Sequence, residues 1–257
     1  MYSYNMTNST TDNSNSQFRL HSHDEYEIFM FLNGDSSYVV EDKIYSLEPG
    51  DMIIVRKYQM HRVYHNSDTR YHRFVCMVSP DFFVQKNCIE YEEIFRNPLD
   101  KRGNKISSDV VHSSGLYDAI LRLEKYSDNF TKAHTAITDS IIVEILHIIN
   151  NITSFEKADT VNKQLKPILF YINNNYTNNI SLDFLADKFY ISKYHMCRMF
   201  KEATGHTIHS YIINKRINYA NELIKNGMNM TNAAMAAGFN NYSSFYLAMK
   251  KNRSSKA

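Results

Sequence analysis

Four side chains in the first quarter of this 257-residue chain have the types and spacing of a metal or ligand site. His21, His23 and Glu27 fall within seven residues, and His61 follows a Pro49-Gly50-Asp51 turn. On an extended strand alternate residues share a face, so His21 and His23 would point the same way. Imidazoles with one carboxylate form a donor set that suits Mn, Fe, Ni or Zn. Without a metal, the same groups offer convergent hydrogen bonds to a polar small molecule. Tyr64, His65, Tyr71 and His72 extend that polar inventory and suit a ligand rich in hydroxyls, such as a sugar. Residues of these types also serve as plain structural hydrogen-bonders, so spacing alone leaves the three readings open.

A second kind of chemistry sits at the other end. The pattern of ISLDFLADKFYISKYHMCRMFKEATG returns in MTNAAMAAGFNNYSSFYLAMKK. Leu182, Leu185, Ala186 and Phe189 match Met230, Ala233, Ala234 and Ala237 at an offset of 48. Met196, Met199 and Phe200 match Phe245, Ala248 and Met249 at an offset of 49. Each set has i, i+3, i+4 spacing, so each helix of the two hairpins keeps one buried face. The second helix of the first copy then turns Lys193, Tyr194, Cys197, Arg198 and Lys201 outward. Arginine can bond guanine bidentately, and lysine neutralises phosphate. Charge is divided to match: residues 161–257 carry 13 basic and 4 acidic side chains, residues 1–160 carry 16 and 23. A basic, repeated half beside an acidic half points to a nucleic-acid-binding portion and a portion with another task.

The secondary structure that would hold these groups follows from the pattern. EIFMFL, SSYVVEDKIYSL, DMIIVR and HRFVCMV read as short strands, punctuated by Asn33-Gly34-Asp35 and Glu48-Pro49-Gly50-Asp51. From about Glu90 the period becomes helical. Leu116, Ile120, Leu123 and Tyr126 form one stripe, and Ile137, Ile141, Ile145, Ile148 and Ile152 another, either to pack on the strands or to join a second subunit. Phe155 to Val161 reads as a linker, and Pro167 suits the first turn of the next helix. Ser181 and Ser192 are placed to cap the two helices of the first hairpin, and Gly205 to end it. Between the hairpins, one helix of about 18–20 residues spans roughly 30 Å, close to the roughly 34 Å of one DNA turn. The first 16 residues, rich in Asn, Ser and Thr, read as a disordered tail. Three scattered cysteines argue against a disulfide framework and form no CxxC metal pair, no apolar run is long enough to span a membrane, and the N-terminus lacks the order of a signal peptide, so a cytoplasmic protein is expected.

The runs ISLDFLADKFYIS, YHMCRMFKEATG, YIINKRINYANELI and AAGFNNYSSF with Lys250-Lys251 resemble the DNA-binding domain of AraC/XylS-type transcription regulators. The resemblance implies base contacts from Tyr194, Cys197 and Arg198 in the first reading helix and from Tyr242, Ser243 and Leu247 in the second. Lys250, Lys251 and Arg253 would meet phosphates. The chain departs from the family by placing Leu247 at a reading position and by ending at KKNRSSKA without the usual Gly-x-x-Pro segment. His21-x-His23-x3-Glu27-x6-Gly34 and Gly50-Asp51-x4-Arg56-x4-His61 resemble the two cupin motifs, with Arg56 where proline is usual. The joint resemblance implies a cupin-like β-barrel over 17–95 that senses a small molecule through His21, His23, Glu27 and His61, with no catalytic residue and no metal favoured. A helical linker and dimerisation segment would follow over 96–160, then an all-α domain over 161–257 with two helix-turn-helix motifs. The implied partners are double-stranded promoter DNA, a small effector of sugar type, RNA polymerase and a second copy of the chain; activation is favoured over repression. Two other readings compete: a metal-dependent cupin enzyme fused to a DNA-binding module, and a constitutive dimeric DNA-binding protein.

Overall fold

The computed structural model of the chain describes residues 2–10, 20–41, 43–96, 103–126, 132–152, 159–160, 164–204 and 206–254. They form two compact units. One holds Met1–Phe18 and His23–Asp159; the other holds Arg19–Ser22 and Thr160–Ala257. Among the described residues no helix is long and apolar enough to cross a membrane.

The first unit is built on two sheets. Strands β1 (Tyr2–Thr10), β2 (Tyr26–Asn33), β5 (Met52–Val55), β7 (Arg70–Val78) and β8 (Lys105–Ile106) form one, in the order β1-β7-β2-β5-β8. Strands β3 (Ser36–Val40), β4 (Lys43–Ser46), β6 (His61–His65) and β9 (Asp159–Thr160) form the other, in the order β6-β3-β4-β9. Successive residues of a strand face opposite ways. Phe29, Phe31, Ile53, Val55 and Tyr71 therefore meet Tyr38, Val40, Tyr45 and Val63 between the sheets. Tyr26, Ile28, Met30, Met52, Ile54, Phe74, Cys76 and Val78 face the helices instead. Cover on both sides explains why β2 reads as an unbroken apolar run and not as an alternation. The described pairings keep the two sheets distinct; they do not trace a closed barrel.

Helices α1 (Pro80–Gln85), α2 (Glu93–Arg96), α3 (Ser108–Ser113), α4 (Leu116–Glu124) and α5 (Lys132–Asn151) cover the five-stranded sheet. The sequence suggests a separate linker here, yet these helices share one core with the strands. Ile142, Leu146 and Ile149 are fully buried, and Ile141, Ile145 and Ile152 nearly so. Each such side chain stabilises the unit by about 1.5–3 kcal/mol. Of the two roles open to this stripe, packing on the strands takes up most of it, with Ile137 its most exposed member. The tail is also different from expectation. Tyr2–Thr10 pair antiparallel with β7 over nine residues, from Tyr2 opposite Val78 to Thr10 opposite Arg70. Tyr2, Tyr4 and Met6 pack on the helix-side core while Ser3 and Asn5 face out. That period-2 apolar signal outweighs the Asn/Ser/Thr composition. The rest of the expected tail, Gly205 and most of the expected linker over 155–161 lie outside the described residues.

From residue 164 on, the described residues of the second unit form helices and the turns between them: α6 (Leu165–Asn175), α7 (Leu182–Lys188), α8 (Lys193–Thr204), α9 (Ile208–Lys225), α10 (Met230–Ala236) and α11 (Tyr242–Ser254). Pro167 lies in the first turn of α6, where its missing N–H costs no helical bond. Leu20 and Ser22 are both buried in this unit. The Leu20 carbonyl lies 2.6 Å from His206 Nε2, and the Asn218 amide donates to the Ser22 hydroxyl at 2.5 Å.

Candidate nucleic-acid interface and buried polar cluster

Both hairpins of the second unit are held by the same devices. Ser181 accepts from the Phe184 amide at 3.0 Å and Ser192 from the His195 amide at 3.3 Å. At the same offsets, Asn229 accepts from Asn232 at 2.9 Å and Asn241 from Ser244 at 2.8 Å. Each cap satisfies an amide that the helix itself leaves unpaired. The turn between helices needs one left-handed residue: Tyr190 (φ 52°) in the first copy and Gly238 (φ +90°) in the second. Sequence reasoning sees a well-capped first copy and passes over Asn229 and Asn241. The second hairpin is as well capped as the first. Rigid α9, 18 residues long and so about 27 Å, joins the two.

Met196, Met199, Phe200 and Phe245 are buried, which turns the opposite faces of α8 and α11 outward. Lys193, Tyr194, Arg198 and Lys201 are exposed on α8, and Cys197, a free thiol, is half-buried among them. Lys193 pairs with Asp183, and Arg198 Nε lies 3.7 Å from Glu202. Exposed pairs like these contribute about 0–1 kcal/mol, so a phosphate or base can replace the partner at little cost. On α11, Tyr242, Ser243, Leu247, Lys250 and Lys251 are exposed. So is Tyr246, which the sequence reading misses although it sits 49 residues after Cys197. By the same offset Arg198 corresponds to Leu247, 64% exposed, and Lys201 to Lys250. The α8 face centres on Arg198, whereas the α11 face sets tyrosines and Leu247 ahead of its two lysines.

In the first unit, His23, Glu27 and His61, all expected from spacing, come together. Glu27, on the inner face of β2, accepts from the Tyr38 hydroxyl at 2.6 Å. Its Oε2 lies 3.1 Å from His23 Nε2 and 3.3 Å from His61 Nε2. His23 Nδ1 is 2.9 Å from the Glu25 carbonyl and His61 Nδ1 2.8 Å from the Gln59 carbonyl. A carbonyl only accepts, so both Nδ1 atoms donate and both Nε2 atoms address the carboxylate. Positive charge is needed there, as a proton or as a divalent cation. Two Nε2 and a carboxylate oxygen, each ring oriented by a backbone carbonyl, form a donor set that fits such a cation. Burial alone would raise the Glu27 carboxyl, but His61 and His23 outweigh it and hold the group well below the ordinary carboxylate range. Burial, then the charge of Glu27, pushes the Tyr38 hydroxyl up.

His21 and His23 both precede β2, which begins only at Tyr26, so strand alternation is not what orients them. His21 is exposed, in the segment that belongs with the second unit. Tyr38 has no spacing signal in the sequence; β3 brings it to Glu27. Gly50-Asp51, by contrast, is structural. Asp51 accepts from the Glu48 and Ser108 amides at 2.7 and 2.9 Å and pairs with Lys105 at 2.7 Å. Of the neighbouring polar residues, His65 and Tyr71 are buried edge to face at 4.5 Å, with Arg73 over the Tyr71 ring, while Tyr64 is partly exposed and His72 half-buried. Burial first, and Arg73 second, lower the His65 imidazole.

Comparison with known proteins assigns both units. Residues 5–146 match the family model of the AraC-like ligand binding domain, and residues 185–254 that of a helix-turn-helix domain. An uncharacterized HTH-type transcriptional regulator of Bacillus subtilis, YbfI, is 24% identical over 88% of this chain and 81% of its own length. The HTH-type transcriptional activator RhaS of Citrobacter koseri is 23% identical over 90% of this chain and 82% of its own. Among solved structures, ToxT from Vibrio cholerae aligns over 97% of this chain and 93% of that one, at 16% identity and a TM-score of 0.37. These curated relatives are transcription regulators, not enzymes.

Proposed function

The chain belongs to the family of transcription regulators with an AraC-like ligand-binding domain, and from that premise we propose how its residues divide the work. The α8 face reads bases through Arg198, with Tyr194 and Cys197 beside it and Lys193 and Lys201 on phosphates. The α11 face contributes Tyr242, Ser243, Tyr246 and Leu247, with Lys250 and Lys251 on phosphates. Leu247 meets thymine methyl groups, the apolar feature of the major groove. The observation that carries this reading is the pair of hairpins capped at the same offsets, each with an exposed outer face, in the basic half of the chain.

In the first unit the effector is a small polar molecule of sugar type, met by His23, Glu27, His61 and Tyr38. Its binding favours one arrangement of the two units over another, which is what coupling between sites requires. The output is activation, as the name of the RhaS relative states for that protein, with RNA polymerase as partner in the cytoplasm. A second copy of the chain would occupy a second half-site. Chromosomal binding sites of the full chain test the proposal. Discrete sites upstream of a small set of operons are expected, and gel shifts on them should respond to the metabolites those operons handle. Uniform, sequence-independent occupancy would count against it. Stoichiometric metal that survives dialysis would put a cation, and not a proton, between Glu27 and its histidines.

A further inference from the structure

The space between the sheets is not the only place in the first unit where polar and aromatic groups converge. On the helix side of the five-stranded sheet an open cleft of about 320 Å³ lies between β1, α1 and the first turns of α5. That is the small end of the range for ligand pockets, large enough for one ring and little more. One wall is Tyr2 and Tyr4, stacked at 6.2 Å, with Phe82 edge-on to Tyr2 at 5.5 Å. The other is Tyr126, edge-on to His134 at 5.6 Å. Aromatic rings attract one another in such stacked or edge-on geometries at about 4.5–7 Å, so these walls present faces and edges suited to a further planar ring.

The polar groups narrow the choice. Lys86 and Asp139 pair at 2.5 Å within the lining, so a charged ligand would meet an opposing charge beside its partner. The Tyr2 hydroxyl bonds the Thr138 hydroxyl. Burial pushes the Tyr2 hydroxyl up to about 12, which keeps it neutral. The cleft thus already accommodates one phenol of its own, its ring among aromatics and its hydroxyl on a threonine. Hydroxyls buried without partners lose their bonds to water for nothing in return, which disfavours a ligand with hydroxyls all round.

We infer that this cleft is a second small-molecule site, separate from the Glu27 cluster, which takes an uncharged single-ring aromatic compound with one hydrogen-bonding group. The site stands independently of the assignment of Glu27 and its neighbours to an effector. The test is ligand-observed NMR on the full-length chain with p-cresol and benzyl alcohol as neutral probes. Benzoate and benzylammonium serve as charged probes and glucose as a polyhydroxylated one. Saturable binding of the neutral aromatics is expected, at least about tenfold tighter than that of the other three. Thr135→Phe fills the cleft from an exposed position on α5 and should weaken p-cresol at least about tenfold, while gel shifts on mapped sites stay intact. Tyr126→Ala, which removes the other wall, should weaken it as well and covers the case in which Thr135→Phe does not fold. The inference is overturned by any of four results: no saturable binding of the neutral probes, equal binding of the charged ones, preference for glucose, or p-cresol binding lost in Glu27→Gln and kept in Thr135→Phe. Absence of discrete chromosomal sites would defeat the regulatory reading and leave this one untouched.

Discussion

The two hairpins share a scaffold and differ in what they show the outside. Their caps fall at equivalent positions, Leu185 and Met196 are buried in one copy as the matching Ala233 and Phe245 are in the other, and each turn has a left-handed residue at the same place. On the outer faces Arg198 gives way to Leu247 and Cys197 to Tyr246. Even the shared turn is made differently, by a 98% exposed tyrosine in one copy and by glycine in the other. Folding constrains caps, inner faces and turns because each satisfies a backbone or packing requirement. It leaves the outward positions to whatever they must touch, so a repeat can hold its geometry while its two copies read by different chemistry.

Four substitutions test how far the two hairpins differ. The largest effect is expected at Gly238. A β-carbon there would lie 2.2 Å from the Thr177 carbonyl oxygen, in backbone that already disfavours side chains. Gly238→Ala should destabilise the second unit by about 3 kcal/mol or more, read from urea unfolding by circular dichroism. An unchanged midpoint would mean that the close approach relaxes freely. Arg198→Ala comes next: a bidentate guanine contact carries about 1–3 kcal/mol of discrimination, so roughly 10- to 100-fold loss of specific binding is expected in gel shifts. If Tyr242→Ala costs more than this, the ranking of the two hairpins is reversed. Tyr190→Gly should relieve left-handed strain and stabilise the unit by up to about 1 kcal/mol, the opposite sign to the change at the matching Gly238. A loss of stability would show that the tyrosine ring is held by the fold. The smallest effect belongs to Leu247→Ala: about threefold weaker binding, which should vanish when the thymines it meets are replaced by uracil. Equal loss on both DNAs would assign Leu247 to packing.

What the sequence discloses follows from the range of the interactions involved. Helix periodicity, the 48/49 offsets and the serine caps are local, and Leu185, Met196, Phe200 and Ala233 are buried as their spacing requires. Asn229 and Asn241 carry an equally local signal, but it is read only once the first copy's serines are used as a template. Placing His21 and His23 on one strand assumes alternation before β2 begins. Tyr38 reaches Glu27 only through sheet packing, which no short spacing records. At the N-terminus, composition hides an alternation of Tyr2, Tyr4 and Met6 that the edge of β7 turns into a strand. Gly238 looks like an ordinary helix stop; that it also abuts Thr177 depends on a neighbour 61 residues away.

Leu20 and Ser22 lie early in the chain but belong to the helical unit, where His206 and Asn218 hold them. That unit is therefore discontinuous in sequence. A ribosome completes most of it only at the end of synthesis, while two of its own buried residues wait from the start. Dissection at residue 160 would release a fragment with an unfilled slot where Leu20 sat, forfeiting about 1.5–3 kcal/mol of apolar burial and two polar contacts. A synthetic peptide spanning residues 17–24, added in trans, should restore part of that loss.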